Sequence, residues 1–149
     1  MTGNEKIIGF TAGTFDMFHI GHLNLIKNAK ARCDYLIVGV NSDQLVQEYK
    51  KKEVIVPLEE RMEIIRSLRF VDEVMRIDSL DKKISWNKRH YHILFIGDDW
   101  KGNPRWEATA EEMKQYGVET VFLPHTEGTN STLLRDKLND YPSSDKSFG

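Results

Sequence analysis

Residues 7–22 read Ile7-Ile8-Gly9-Phe10-Thr11-Ala12-Gly13-Thr14-Phe15-Asp16-Met17-Phe18-His19-Ile20-Gly21-His22, and the change of chemistry along this stretch decides the fold. The apolar start is strand-like and enters a short run of threonine, alanine and glycine. From Gly21 to Arg32 the apolar residues Leu23, Ile26 and Ala29 recur at helical spacing. A strand that turns directly into a helix is the opening unit of a parallel α/β sheet. Glycine lets the backbone approach a ligand closely, and a helix start presents free N–H groups and a positive dipole to phosphate. His19 and His22 are three apart and share one face of a helical turn. Two imidazoles aimed at a phosphate oxygen suit the charge that builds up during phosphoryl or nucleotidyl transfer. The pair also has the spacing of metal ligands, though no third ligand is obvious. Either ring alone equally suits a helix cap or a satisfied core position.

Tyr35-Leu36-Ile37-Val38-Gly39-Val40 is a continuous apolar run of the kind buried on both faces of a parallel sheet. A charged loop from Gln47 to Glu53 holds Lys50, Lys51 and Lys52. Pro57 with Glu59 and Glu60 marks a helix start, and Met62, Ile65 and Leu68 keep its apolar period. Further strands are expected over 73–77, 92–96 and 120–123. Helices are expected around 80–90, over 104–116 with Gly117 as C-terminal cap, and over 131–138. The alternation predicts an α/β fold of one domain over residues 1–140: a Rossmann-like, open, parallel five-stranded sheet with helices on both faces. Residues 141–149 read as a polar tail. Ligands of such sheets bind outside the carboxyl ends of the strands. The unusual residues fall there, in Gly13–His22, in Gly97-Asp98-Asp99-Trp100 and in Pro124-His125-Thr126-Glu127-Gly128.

The chain has 149 residues, 40% hydrophobic and 30% charged, enough for one folded core. Its net charge of −2 argues against a broad nucleic-acid surface, while a few local cations suffice for one nucleotide. No apolar run approaches the ~20 residues that span a bilayer. The polar start, Met1 to Lys6, is unlike a signal peptide, and a cytoplasmic protein is expected. Cys33, the single cysteine, has no disulfide partner and no flanking base, and reads as a small helix-end residue.

The string GTFDMFHIGH resembles the signature of the cytidylyltransferase family, small α/β nucleotidyltransferases with a HxGH tetrapeptide after the first strand. Leu58-Glu59-Glu60-Arg61, Arg69-Phe70-Val71-Asp72-Glu73-Val74, GDDW at 97–100 and Thr126-Glu127-Gly128 are similar to the family in order and spacing. The resemblance is nearest to the glycerol-3-phosphate cytidylyltransferase branch. It implies that His19 and His22 contact the triphosphate and stabilise five-coordinate phosphorus, with Lys50 and Lys52 reaching the phosphates from a loop. Thr14 and Phe15, Asp99, His125, Thr126, Glu127, Asn130 and Thr132 would hold the nucleotide. Arg61, Trp100 and Asp16 would lie at the acceptor, and Arg69 would support the site. Asp16 suits loop ordering, a metal or a buried cap equally; Asp99, or its neighbour Asp98, suits Mg²⁺ or a ribose hydroxyl.

The implied reaction is CMP transfer from CTP to a small phosphorylated alcohol, with Mg²⁺ carried by the nucleotide and pyrophosphate released. The implied product is a CDP-activated precursor for a cell-surface polymer, and the implied assembly a homodimer. An acceptor phosphate is already ionised, so no strong base is required and positioning carries the catalysis. An adenylyltransferase and a CTP-binding module without turnover are the alternatives. The chain departs from the family where His125 and Asn130 stand for the usual arginine and serine. Histidine lacks the permanent charge and the fork of arginine, which bears on acceptor and turnover more than on fold.

Overall fold

The computed structural model describes residues 6–50, 53–97 and 103–124. The five apolar runs pair into one sheet: β1 (Ile8–Gly13), β2 (Tyr35–Asn41), β3 (Glu73–Ile77), β4 (Ile93–Gly97) and β5 (Glu119–Leu123). Their order is β3-β2-β1-β4-β5, and every neighbouring pair is parallel. This is the expected Rossmann-like architecture, with the order reversing beside β1. Parallel strands need helical crossovers. These are α1 (Ile20–Lys30), α2 (Asp43–Lys50), α3 (Leu58–Arg66), α4 (Lys82–Lys88) and α5 (Pro104–Lys114).

The helices divide the core between the two faces of the sheet. On one face Ile26 and Ala29 of α1 and Leu58 and Ile65 of α3 pack with Leu36, Val38 and Phe95. On the other, Leu45 of α2 and Met113 of α5 pack with Phe10, Ile37, Tyr91 and Leu94, and Trp86 of α4 joins them. The central strands are thus covered twice, which is why they read as unbroken apolar runs.

Two local details differ from or refine the sequence expectation. The charged segment expected as a loop from Gln47 is helical up to Lys50, because Ser42 caps α2 by accepting the Leu45 N–H at 3.1 Å and Leu45, Val46 and Tyr49 turn toward the sheet. At the end of α5, Gly117 takes φ +78°, a left-handed conformation that ends the helix as expected. Among the described residues no helix is long and apolar enough to cross a membrane. The helix expected over 131–138 and the tail over 141–149 lie outside the described residues.

Candidate active site

The connection from β1 to α1 is built by unusual backbone. Phe15 and Met17 both adopt positive φ, 54° and 51°, conformations that cost a non-glycine residue about 1 kcal/mol or more. Burial fixes the first: Phe15 is 5% exposed and packs into the core beside Ile26 and Val40. A Cβ at Gly13 would come within 3.1 Å of the Phe15 ring, so glycine is what lets the ring fold back. Asp16 holds the other side of the loop. It is 2% exposed, and its two carboxylate oxygens accept the Ile55 and Val56 N–H groups, each at 2.8 Å.

The loop delivers the two histidines as a capping pair. His19 is the N-cap of α1, its Nδ1 accepting the Gly21 N–H at 3.0 Å. His22 reaches back, its Nδ1 accepting the His19 N–H at 3.3 Å. The rings stack with centroids 3.8 Å apart, and Phe15 and Phe18 flank His22 with centroids 5.4 Å away. A nitrogen that accepts an N–H carries no proton, so in each neutral ring the proton sits on Nε2. Burial lowers the pKa of His19. Burial, the neighbouring His19 and the Lys50 ammonium together push His22 down to about 3, against a smaller opposing pull from Asp16. Both rings are therefore neutral Nε2–H donors at ordinary pH. His19 Nε2 is buried and has no partner among the described residues. A donor so placed at a helix N-terminus suits an anionic oxygen. The cap and the anion-binding readings of the pair are thus satisfied by the two nitrogens of each ring.

Beside the histidines, Thr14 joins a polar cluster that the sequence did not disclose. Asn41, the last residue of β2, donates from Nδ2 to Tyr49 Oη at 3.1 Å and toward Thr14 Oγ1 at 3.4 Å, and Thr14 and Tyr49 hydroxyls are 3.2 Å apart. The cluster ties α2 to the β1 loop and so brings Lys50, exposed at the end of α2, near His22. Asn41 breaks an apolar strand at its carboxyl end, a signal that could have flagged it. Tyr49 sits inside the charged segment and carried no such signal.

Arg61 does not present itself to an acceptor, contrary to what the resemblance implied. Its side chain is fully buried, donating from Nε to Val56 O at 2.7 Å and from Nη1 to Thr14 O at 2.8 Å and Asn41 O at 2.7 Å, with Nη2 paired to the Asp43 carboxylate. It is a positioning residue that locks the ends of β1 and β2 to α3. Asp16 is corrected in the same direction, because both oxygens are used to order the 55–56 backbone. Arg69 is exposed, its guanidinium 5.0 Å over the Phe70 ring, a surface support. Lys52, Asp98, Asp99, Trp100, His125, Thr126, Glu127, Asn130 and Thr132 lie outside the described residues. A concavity of about 380 Å³ is lined by Glu107, Ala110, Glu111 and Lys114 of α5 with Glu119, Thr120 and Phe122 of β5, and none of the residues named above lines it.

Comparison with known proteins agrees with the geometry. Residues 10–137 match the family described as cytidylyltransferase-like. The chain is similar to a glycerol-3-phosphate cytidylyltransferase of Bacillus spizizenii, 37% identical over 90% of this chain and 97% of that one. It is also similar to a FAD synthase of Pyrococcus abyssi, 41% identical over 84% of this chain and 85% of that one. In fold it is similar to the crystal structure of a lipopolysaccharide core biosynthesis protein from Thermoplasma volcanium. That likeness has a TM-score of 0.71 at 22% identity, over 84% of this chain and all of that one.

Proposed function

The chain belongs to the cytidylyltransferase-like family, and from that premise we propose that it transfers CMP from CTP to glycerol 3-phosphate or a similar small phosphorylated alcohol, releasing pyrophosphate. The observation that carries the mechanism is that Nδ1 of each histidine accepts a backbone N–H, which leaves the proton on Nε2. With both Nδ1 atoms occupied by backbone N–H groups, His19 and His22 offer two preorganised Nε2–H donors at the start of α1. Donors that need no rearrangement stabilise charge developing on phosphate oxygens best, because no solvent must reorient during the reaction.

The acceptor's phosphate oxygen attacks the α-phosphorus in line, and pyrophosphate departs on the opposite side. No residue has to remove a proton, since the nucleophile is an anion at neutral pH. The histidines hold the triphosphate, Lys50 neutralises phosphate charge beside them, and Lys52 acts from the same segment. Asp16, Arg61 and the Thr14–Asn41–Tyr49 cluster keep this arrangement in place. Phe15 anchors the loop from within the core. Mg²⁺ would arrive on the triphosphate, whose oxygens would hold it, and would offset the charge of the leaving pyrophosphate. Asp99, Trp100, His125, Thr126, Glu127, Asn130 and Thr132 complete our assignment of nucleotide and acceptor contacts. We place the protein in the cytoplasm as a homodimer, supplying a CDP-activated precursor for a cell-surface polymer.

The similarity to FAD synthases favours one second reading, in which the nucleotide is ATP and the acceptor a flavin phosphate. Mass spectrometry of the products separates the two. Incubation with CTP and glycerol 3-phosphate should yield CDP-glycerol. A dinucleotide formed only from ATP and flavin mononucleotide would replace the first reading with the second.

A further inference from the structure

Phe18 stands beside the histidine pair without a part in the reaction described above. It precedes the N-cap His19, the place where an apolar side chain commonly folds onto the first turns of a helix and fixes how the chain enters it. Here the side chain it meets is His22, with ring centroids 5.4 Å apart and planes tilted by 41°. Phe15 sets its edge to the same imidazole at 5.4 Å and 78°, and His19 stacks on it at 3.8 Å. The hydrogen bond that orients His22, from the His19 N–H to Nδ1, is long at 3.3 Å. A bond of that length does not by itself fix a ring whose last torsion is broad, so orientation falls to the packing. Phe15 is locked into the core, and His19 is tied to the cap by its own 3.0 Å bond. Phe18 is partly buried and packs against that core from its margin.

An imidazole enclosed by rings keeps little water, and without water its charged form is the costly one. A proton on Nδ1 would also end the bond from the His19 N–H, because that nitrogen could no longer accept. Cover over the ring therefore protects both the neutral form and the tautomer. The titrating groups around His22 divide: His19 and the Lys50 ammonium oppose a proton there, Asp16 favours one, and burial outweighs each of them. We propose that Phe18 is a positioning residue of the histidine pair: its ring holds the His22 imidazole in the orientation that accepts the His19 N–H, and so keeps the Nε2–H available as a donor to a phosphate oxygen. The use of that donor rests on the proposed reaction, whereas the positioning rests on the packing. An aromatic face can also attract a cation. That role has the opposite sign, because losing the ring would then make His22 harder to protonate.

The test compares the full chain with Phe18→Ala and Phe18→Leu in two ways. Nitrogen NMR of the histidine rings follows protonation and tautomer from about pH 4 to about pH 8. Steady-state kinetics follow pyrophosphate release from CTP and glycerol 3-phosphate. In wild type His22 should stay a neutral Nε2–H tautomer across this range. Alanine opens the cover, so the His22 titration midpoint should rise by about two pH units or more and the tautomers should mix. The kcat of this variant should fall about tenfold or more as the donor is misplaced, with a new decline in rate toward acid pH. Leucine covers the imidazole without an aromatic face and should recover most of the loss. An unchanged His22 spectrum in Phe18→Ala overturns the proposal, and so does a midpoint that falls. A lower kcat with a lowered melting temperature but an unchanged His22 tautomer marks a packing role and overturns it too. Wild-type protein that releases no pyrophosphate would overturn the reaction, while the spectra would still decide the positioning.

Discussion

The histidine pair shows how a residue pattern can be legible in type and incomplete in role. The three-residue spacing placed His19 and His22 on one helix face, but not the capping bonds that decide which nitrogen carries the proton. Those bonds need the β1–α1 loop, with Phe15 and Met17 at positive φ, which no local sequence rule indicates. The same bonds set a pH dependence. Folded His22 has a pKa near 3 against an ordinary 6.5, so between those values the unfolded chain binds a proton that the folded chain refuses. Stability contributed through this group is therefore complete above about pH 6.5 and falls as pH drops toward 3. Melting curves should show wild type losing more stability between about pH 7 and about pH 5 than His22→Asn, which cannot titrate. Parallel pH profiles would contradict the neutral assignment. Arg61 likewise has a role that its residue type does not disclose. The family resemblance placed it at the acceptor, whereas its guanidinium satisfies three backbone carbonyls. Arg61→Met should cost about 3 kcal/mol, a fall in Tm of about 6–12 °C by thermal unfolding. A loss of acceptor affinity at unchanged Tm would restore the substrate-contact role.

Among the elements, strands were the most legible and α2 the least. A strand buried on both faces has to be continuously apolar, so β2 and β4 announced themselves. The charges of α2 belong to its exposed side and hid a short apolar face made by Leu45, Val46 and Tyr49. Ser42 followed by Asp43 was the available signal, a cap and a first-turn acid. The helix matters because it carries Lys50 toward His22, and the Tyr49 hydroxyl is its tie to Thr14 and Asn41. Tyr49→Phe keeps the ring and removes the tie. Steady-state kinetics should show a several-fold rise in the KM for CTP, as loss of the two hydrogen bonds of the Tyr49 hydroxyl, about 1 kcal/mol each, loosens the lysine segment, with a fall in Tm of only a few degrees. Unaltered CTP kinetics would mean that the cluster does not hold the lysine segment in place.

The whole molecule follows from one topological fact, the reversal of strand order beside β1. It places α1 on one face of the sheet and α4 and α5 on the other, with the starts of all three at the carboxyl edge of the strands. That much was implied by alternating strands and helices before any side chain was placed. What pattern alone could not supply were contacts made across long separations: Asp16 with residues 55 and 56, and Arg61 with residues 14 and 41. Each joins segments whose proximity exists only once the sheet has formed. In the proposed reaction two neutral histidines at the head of α1 stabilise nucleotidyl transfer from CTP. Pyrophosphate release is its most direct measure, followed with Mg²⁺ and glycerol 3-phosphate while CTP, ATP, GTP and UTP are supplied in turn. Release with CTP alone, lost by a factor of about 10² or more in His22→Ala at unchanged fold, is the predicted result. Release that persists in His22→Ala, or that follows ATP instead of CTP, would contradict it.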